Sequence, residues 1–116
     1  MKQRTERGMV TAELAVTILT AFTLLIMMTW GVYLVVLQLR CTDVAAAVAR
    51  QVARNDTAAA DRARAQAPLG ATVRVSRWPS LVTVTVRVRA KPLSGWLVTV
   101  PLQARAHVVP EPTGPE

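Results

Sequence analysis

The chain has 116 residues, 52% hydrophobic and 18% charged, with 14 Lys and Arg against 7 Asp and Glu, a formal net charge of +7 and a pI near 11.3. A chain of this length holds one small domain beside any membrane segment, and its single cysteine excludes an internal disulfide. One histidine, His107, and scattered acids (Asp43, Asp56, Asp61, Glu111, Glu116) form no metal or nucleophile constellation, so the composition points away from an enzyme and from any cofactor.

Residues 1–8 form a short basic leader in which Lys2, Arg4 and Arg7 outweigh Glu6. Gly8-Met9-Val10-Thr11-Ala12-Glu13 follows, and then 26 residues without a charge, Leu14 to Leu39. At 1.5 Å per residue this run reaches about 39 Å, against roughly 30 Å of bilayer hydrocarbon, so it predicts one membrane-spanning helix. The basic flank places the N-terminus in the cytoplasm and everything after Arg40 outside. A secretory signal peptide has an apolar region of only about 7 to 15 residues, although Ala45-Ala46-Ala47 resembles its small-residue cut site. Lipidation of Cys41 is disfavoured because Gln38-Leu39-Arg40 precede it. Its thiol is expected to be buried or at the membrane edge, or else in an intermolecular bridge. Trp30 and Tyr33 mark the outer half of the span.

Residues 40–67 are alanine-rich, with Val44, Val48 and Val52 four apart in a narrow apolar stripe, so the span is expected to continue outside as helix. Asn55-Asp56 predicts a break, with Asp56 capping a second short helix that ends by Ala65 or Gln66, and Pro68-Leu69-Gly70 closes the segment. From Ala71 the period becomes two. Val73 and Val75 alternate with Thr72, Arg74 and Ser76; Val82, Val84, Val86 and Val88 alternate with Thr83, Thr85, Arg87 and Arg89. A third run places Val98, Val100, Leu102, Ala104, Ala106 and Val108 on one face and Thr99, Gln103, Arg105 and His107 on the other, and Pro101 implies an edge strand or a bulge.

Arg77-Trp78-Pro79-Ser80 reads as a hairpin loop and Lys91-Pro92-Leu93-Ser94-Gly95-Trp96 as a longer one. Trp78 and Trp96 are read as packing caps or subunit contacts. Together these elements predict an α+β membrane-anchored protein. Its long N-terminal transmembrane helix continues outside and packs on a small three-stranded antiparallel sheet over residues 71–109, with a disordered tail at 110–116. Arginine supplies 12 of the 14 basic residues, yet they are spread along the chain without interleaved aromatics, so specific nucleic-acid binding is not expected. A general affinity for acidic envelope polymers or DNA outside the cell is the remaining reading of the charge.

Arg7-Gly8-Met9-Val10-Thr11-Ala12-Glu13-Leu14-Ala15-Val16, the apolar run behind it and the alanine-rich helix from Arg40 to Arg54 resemble the TadE-like pseudopilins of the tight-adherence branch of type IV pili, in their actinobacterial minor-pilin form. The resemblance implies cleavage by a prepilin peptidase between Gly8 and Met9, which makes Glu13 the fifth residue of the mature chain. It also implies that Glu13 serves as an assembly counter-ion to a neighbour's N-terminal amine. The physical chemistry agrees with that assignment: an amine of ordinary pKa near 7.7 to 8.0 beside a bilayer needs a counter-charge. Glu13 is also expected in the first turn of its own helix, where the dipole favours an anion.

Two departures stand out, since Leu14 occupies a position where the family often has an aromatic residue and the span lacks the proline of many relatives. Without that proline the helix is expected to be straighter, and Thr17, Thr20, Thr23 and Thr29 either make polar contacts between packed helices or bond back to their own helix. The implied partners are the membrane, the prepilin peptidase, and other pilins and pilus assembly proteins, with no small-molecule substrate. The competing reading is an unprocessed single-pass membrane-anchored accessory protein.

Overall fold

The computed structural model describes residues 2–91 and 99–110, with side chains from residue 5 onward. The expected loop residues 92–96, Trp96 and Val98 among them or beside them, and the tail from residue 111 lie outside the described residues. Five elements follow in order: α1 (Lys2–Ala53), α2 (Thr57–Ala65), β1 (Thr72–Trp78), β2 (Leu81–Ala90) and β3 (Val100–Val108). The arrangement is α+β, a long apolar N-terminal helix and a three-stranded antiparallel sheet. The chain divides into two compact units after Tyr33, and α1 contributes to both.

The described part of the first unit is a single helix whose side chains are exposed from Thr5 to Thr29. α1 is long and apolar enough to cross a membrane, and none of its most apolar window is buried. Leu19 is 68% exposed and Met28 73%. Burying a side chain of this size is worth about 1.5–3 kcal/mol, so a stripe-free apolar surface of this length requires an external cover. Trp30 and Tyr33 stack at 5.3 Å between ring centroids with 25° between planes.

The second unit builds the core. On α1 the buried residues are Leu37, Cys41, Val44, Ala45, Val48, Ala49, Val52 and Ala53, a 3.6-period stripe broader than the valines alone suggest. The extra width is a column of alanines, which lets backbone approach without side-chain bulk. The sheet has order β1-β2-β3, and the central strand β2 buries Val82, Val84, Val86, Val88 and Ala90 on one face. Val73 and Val75 of β1, and Val100, Leu102, Ala106 and Val108 of β3, are half-buried beside them, with Ala104 buried. The Gln38 side-chain amide donates to the Gln103 carbonyl at 3.0 Å, tying α1 to β3 at the margin of this core.

The helix break uses two adjacent residues differently. Asn55 takes the left-handed conformation at φ 60, its N–H donates to the Val52 carbonyl (3.0 Å) and the Asp56 N–H donates to the Gln51 carbonyl (3.0 Å), which together satisfy the last carbonyls of α1. The Asp56 side chain then accepts from the Ala59 N–H at 2.9 Å and caps α2. After α2, the Ala71 N–H donates to the Pro68 carbonyl at 3.0 Å across a turn whose third residue, Gly70, has φ 78. That is the type II requirement for glycine.

One strand end differs from the sequence reading, and the two alternatives at Pro101 reduce to one. Trp78 is not in a loop: it is the last residue of β1, paired with Leu81, and the hairpin connection is Pro79-Ser80 alone. Two residues suffice because β1 and β2 pair in continuous register from Thr72↔Arg87 to Trp78↔Leu81. Pro101 sits within β3 opposite Arg89 with no interruption of register, so it marks an edge strand and not a bulge.

Candidate functional site

The residues singled out at the N-terminal end all lie on α1. Gly8 is helical, and a Cβ placed there would meet nothing within 4 Å. Met9 is 69% exposed, and Glu13 is exposed. Met9 and Glu13 are four residues apart, which places them on one face about 6 Å apart along the axis. Gly8 is rotated away by about 140° from Glu13 at 100° per residue. Among the described residues nothing pairs with the Glu13 carboxylate; its backbone carbonyl accepts from the Thr17 hydroxyl at 2.9 Å.

α1 begins at Lys2 and has no acid in its first turn, so in the uncut chain Glu13 lies about three turns inside the helix, beyond the reach of the N-terminal dipole. Leader residues with good helix propensity extend the helix back past Gly8, a possibility the glycine obscured. A helical Gly8-Met9 bond must unwind locally before a protease can align it, and a glycine lowers that cost by roughly 0.5–1 kcal/mol relative to alanine.

Five threonines of the first unit each donate to a carbonyl four residues earlier: Thr11 to Arg7, Thr17 to Glu13, Thr20 to Val16, Thr23 to Leu19 and Thr29 to Leu25, at 2.8 to 2.9 Å. Their hydroxyl protons are therefore used within α1. Cys41 is fully buried in the second unit, and burial pushes its thiol above the ordinary value. That places it in the core and makes an intermolecular bridge unavailable without unfolding. His107 lies opposite Thr83 in the β2–β3 pairing, its ring nitrogen 3.1 Å from the hydroxyl.

Two features of the site region are invisible in a linear reading. The Gln38–Gln103 hydrogen bond joins residues 65 apart and carries no local signal. The second is the cross-strand row of arginines on the open face of the sheet. Its alternation is visible in the sequence, but which arginines become neighbours depends on the register.

Over 101 residues, 86% of this chain and 78% of the relative, the sequence is 40% identical to a protein of Mycobacterium tuberculosis (strain ATCC 25618 / H37Rv) named Apoptosis inhibitor Rv3655c. The chain belongs to the Rv3655c family. No protein-family model matches the sequence. No solved structure matches it either. Membership of the Rv3655c family extends over most of both chains, so it takes in helix and sheet segments together and not the apolar run alone.

Proposed function

We propose that this member of the Rv3655c family is a minor pilin or pseudopilin of a tight-adherence type IV pilus system. In this reading it is anchored by a single membrane span, with the N-terminus in the cytoplasm and the second unit outside. A prepilin peptidase cuts after Gly8, and the new Met9 amine of one subunit meets Glu13 of a neighbour as helices bundle. The chain then contributes to pilus assembly or adhesion.

The observation that supports it most is the exposure of α1 from Thr5 through Thr29. A helix that its own chain leaves wholly uncovered is suited first to lipid and then to the helices of other subunits. An unpaired carboxylate on the same face as Met9 supports the counter-ion role. Mass spectrometry of the N-terminus after co-expression with a prepilin peptidase tests the reading: wild type should begin at Met9, and Gly8→Ala should retain Met1. An intact Met1 in both samples removes the pilin function and leaves the unprocessed single-pass accessory protein.

The relative's name favours a second reading, inhibition of apoptosis. Expression of the full chain in cultured cells given an apoptotic stimulus should then lower caspase activity against a vector control, and equal activity removes that reading.

A further inference from the structure

The sheet register gathers arginines that the sequence scatters between positions 74 and 105. Arg74 stands opposite Thr85, which stands opposite Arg105; the adjacent row is Thr72, Arg87 and Gln103, and Arg89 follows opposite Pro101. Alternate strand residues share a face, so these groups lie on the side of the sheet opposite Val84 and Val86. Strands about 4.8 Å apart bring Arg74, Arg87 and Arg105 around Thr85 within about 10 Å of one another. All four arginines are exposed.

Among the described residues no acid offsets them on this face. The described carboxylates are Glu6, Glu13, Asp43, Asp56 and Asp61, on the helices or at the α2 cap, and none is on a strand. An open depression of about 700 Å³ runs along the same region, lined by Gly70, Thr72, Arg74, Thr85, Arg87 and Arg89 among others. Like charges at this spacing disfavour one another, and an anion seated among them reverses the sign of the interaction.

We propose that this face docks a linear acidic polysaccharide whose sugars carry carboxylates. The Arg74 and Arg87 guanidiniums each offer a planar fork that matches a carboxylate; the Gln103 side-chain oxygen accepts from Arg105 Nε (2.6 Å) and Nη2 (2.8 Å), which holds that guanidinium while leaving its other N–H groups for a ligand, and the hydroxyls of Thr72 and Thr85 suit sugar hydroxyls. Trp78, 68% exposed on the same face at the hairpin end, offers an apolar ring for a sugar face. Single-stranded nucleic acid would need several aromatics interleaved with the cations, whereas among the described residues of this face Trp78 stands alone at the hairpin end, and a duplex would need an element that enters a groove, which an open sheet face is not. The proposal does not depend on cleavage at Gly8.

The test uses the full chain in micelles of a neutral detergent, passed over immobilised polygalacturonate, with dextran, duplex DNA and phosphatidylglycerol vesicles as comparators. Wild type should bind polygalacturonate with an affinity that falls as salt rises. The triple variant Arg74→Gln/Arg87→Gln/Arg105→Gln should lose about tenfold or more and show a flatter salt dependence, with an unchanged circular dichroism spectrum. The α2 control Arg62→Gln/Arg64→Gln should change by less than about twofold. No preference over dextran, an equal loss in the α2 control, or tighter binding to duplex DNA or to the vesicles overturns the proposal.

Discussion

Truncating Val84 to alanine tests whether the second unit folds around the central strand. Val84 is 0% exposed in the middle of β2, with Val75 opposite on β1 and Ala106 opposite on β3. Removing two methyl groups forfeits about 1.6 kcal/mol of burial at about 0.8 kcal/mol per carbon. The flanking partners are short, so they cannot close the void, and at about 24 cal/mol per Å³ it adds up to about 1 kcal/mol more. Cys41 supplies the assay, because its buried thiol reacts with an alkylating reagent only when the core opens. Pulsed alkylation across a urea series then reads unfolding of this unit while the first unit remains in a micelle. With a urea slope near the low end for small domains, about 1 kcal/mol/M, a loss of about 2 kcal/mol moves the midpoint down by about 2 M. A shift below about 0.5 M, or alkylation of native Cys41 at the unfolded rate, would refute the packing described here.

Four further variants address the helix break, the apolar part of α1 and the proposed counter-ion. Asp56→Ala should destabilise the second unit by about 1 kcal/mol through loss of the α2 cap, whereas Asn55→Gly, which relieves the left-handed strain at φ 60, should stabilise it by a few tenths to about 1 kcal/mol. The same alkylation assay reads both; the reverse order would contradict the cap geometry. If the proposed function holds, replacing Thr17, Thr20, Thr23 and Thr29 together by valine should leave co-purification with other pilins unchanged, since those hydroxyl protons are committed within α1, and a marked loss would show that they bridge helices. Under the proposed function Glu13→Ala should still be cut by the peptidase and inserted in membranes but incorporated poorly into fibres or assembly complexes, and incorporation equal to wild type would remove the counter-ion role.

The sheet was legible because its signal is local. Val82, Val84, Val86 and Val88 alternate with polar residues, and burial follows that alternation residue by residue along β2. The apolar run from Leu14 was legible for the same reason: length and absence of charge are properties of contiguous residues. The stripe on the outer part of α1 was underread, since alanine and cysteine carry weak hydrophobic signals and only tertiary packing distinguishes the buried Ala45 and Ala49 from the exposed Ala58. Trp78 was misplaced because Pro79 next to it suggested a longer loop. Nothing local specifies that Gln38 meets Gln103 or that Arg74, Arg87 and Arg105 surround Thr85; both depend on how three strands align, which a hairpin of two residues settles on one side only.

The position of Glu13 connects the helix to the proposed processing. In the uncut chain it is exposed partway along α1, about three turns from the helix start and without a partner among the described residues, so its charge gains nothing from the helix dipole. Removal of residues 1–8 would change both conditions at once. The helix would start at Met9, whose new amine would stand one turn from Glu13 on the same face, and the N-terminal half-charge of the dipole would move to within about a turn of the carboxylate. Removal would also discard Lys2, Arg4 and Arg7 with Glu6, deleting the basic flank that orients insertion. Cleavage would thus convert a leader suited to membrane entry into an end suited to pairing between subunits, and the need for Glu13 should appear only in the cut form. A Gly8→Ala/Glu13→Ala double variant should therefore incorporate no worse than Gly8→Ala alone, and a further loss would show that Glu13 acts independently of the cut.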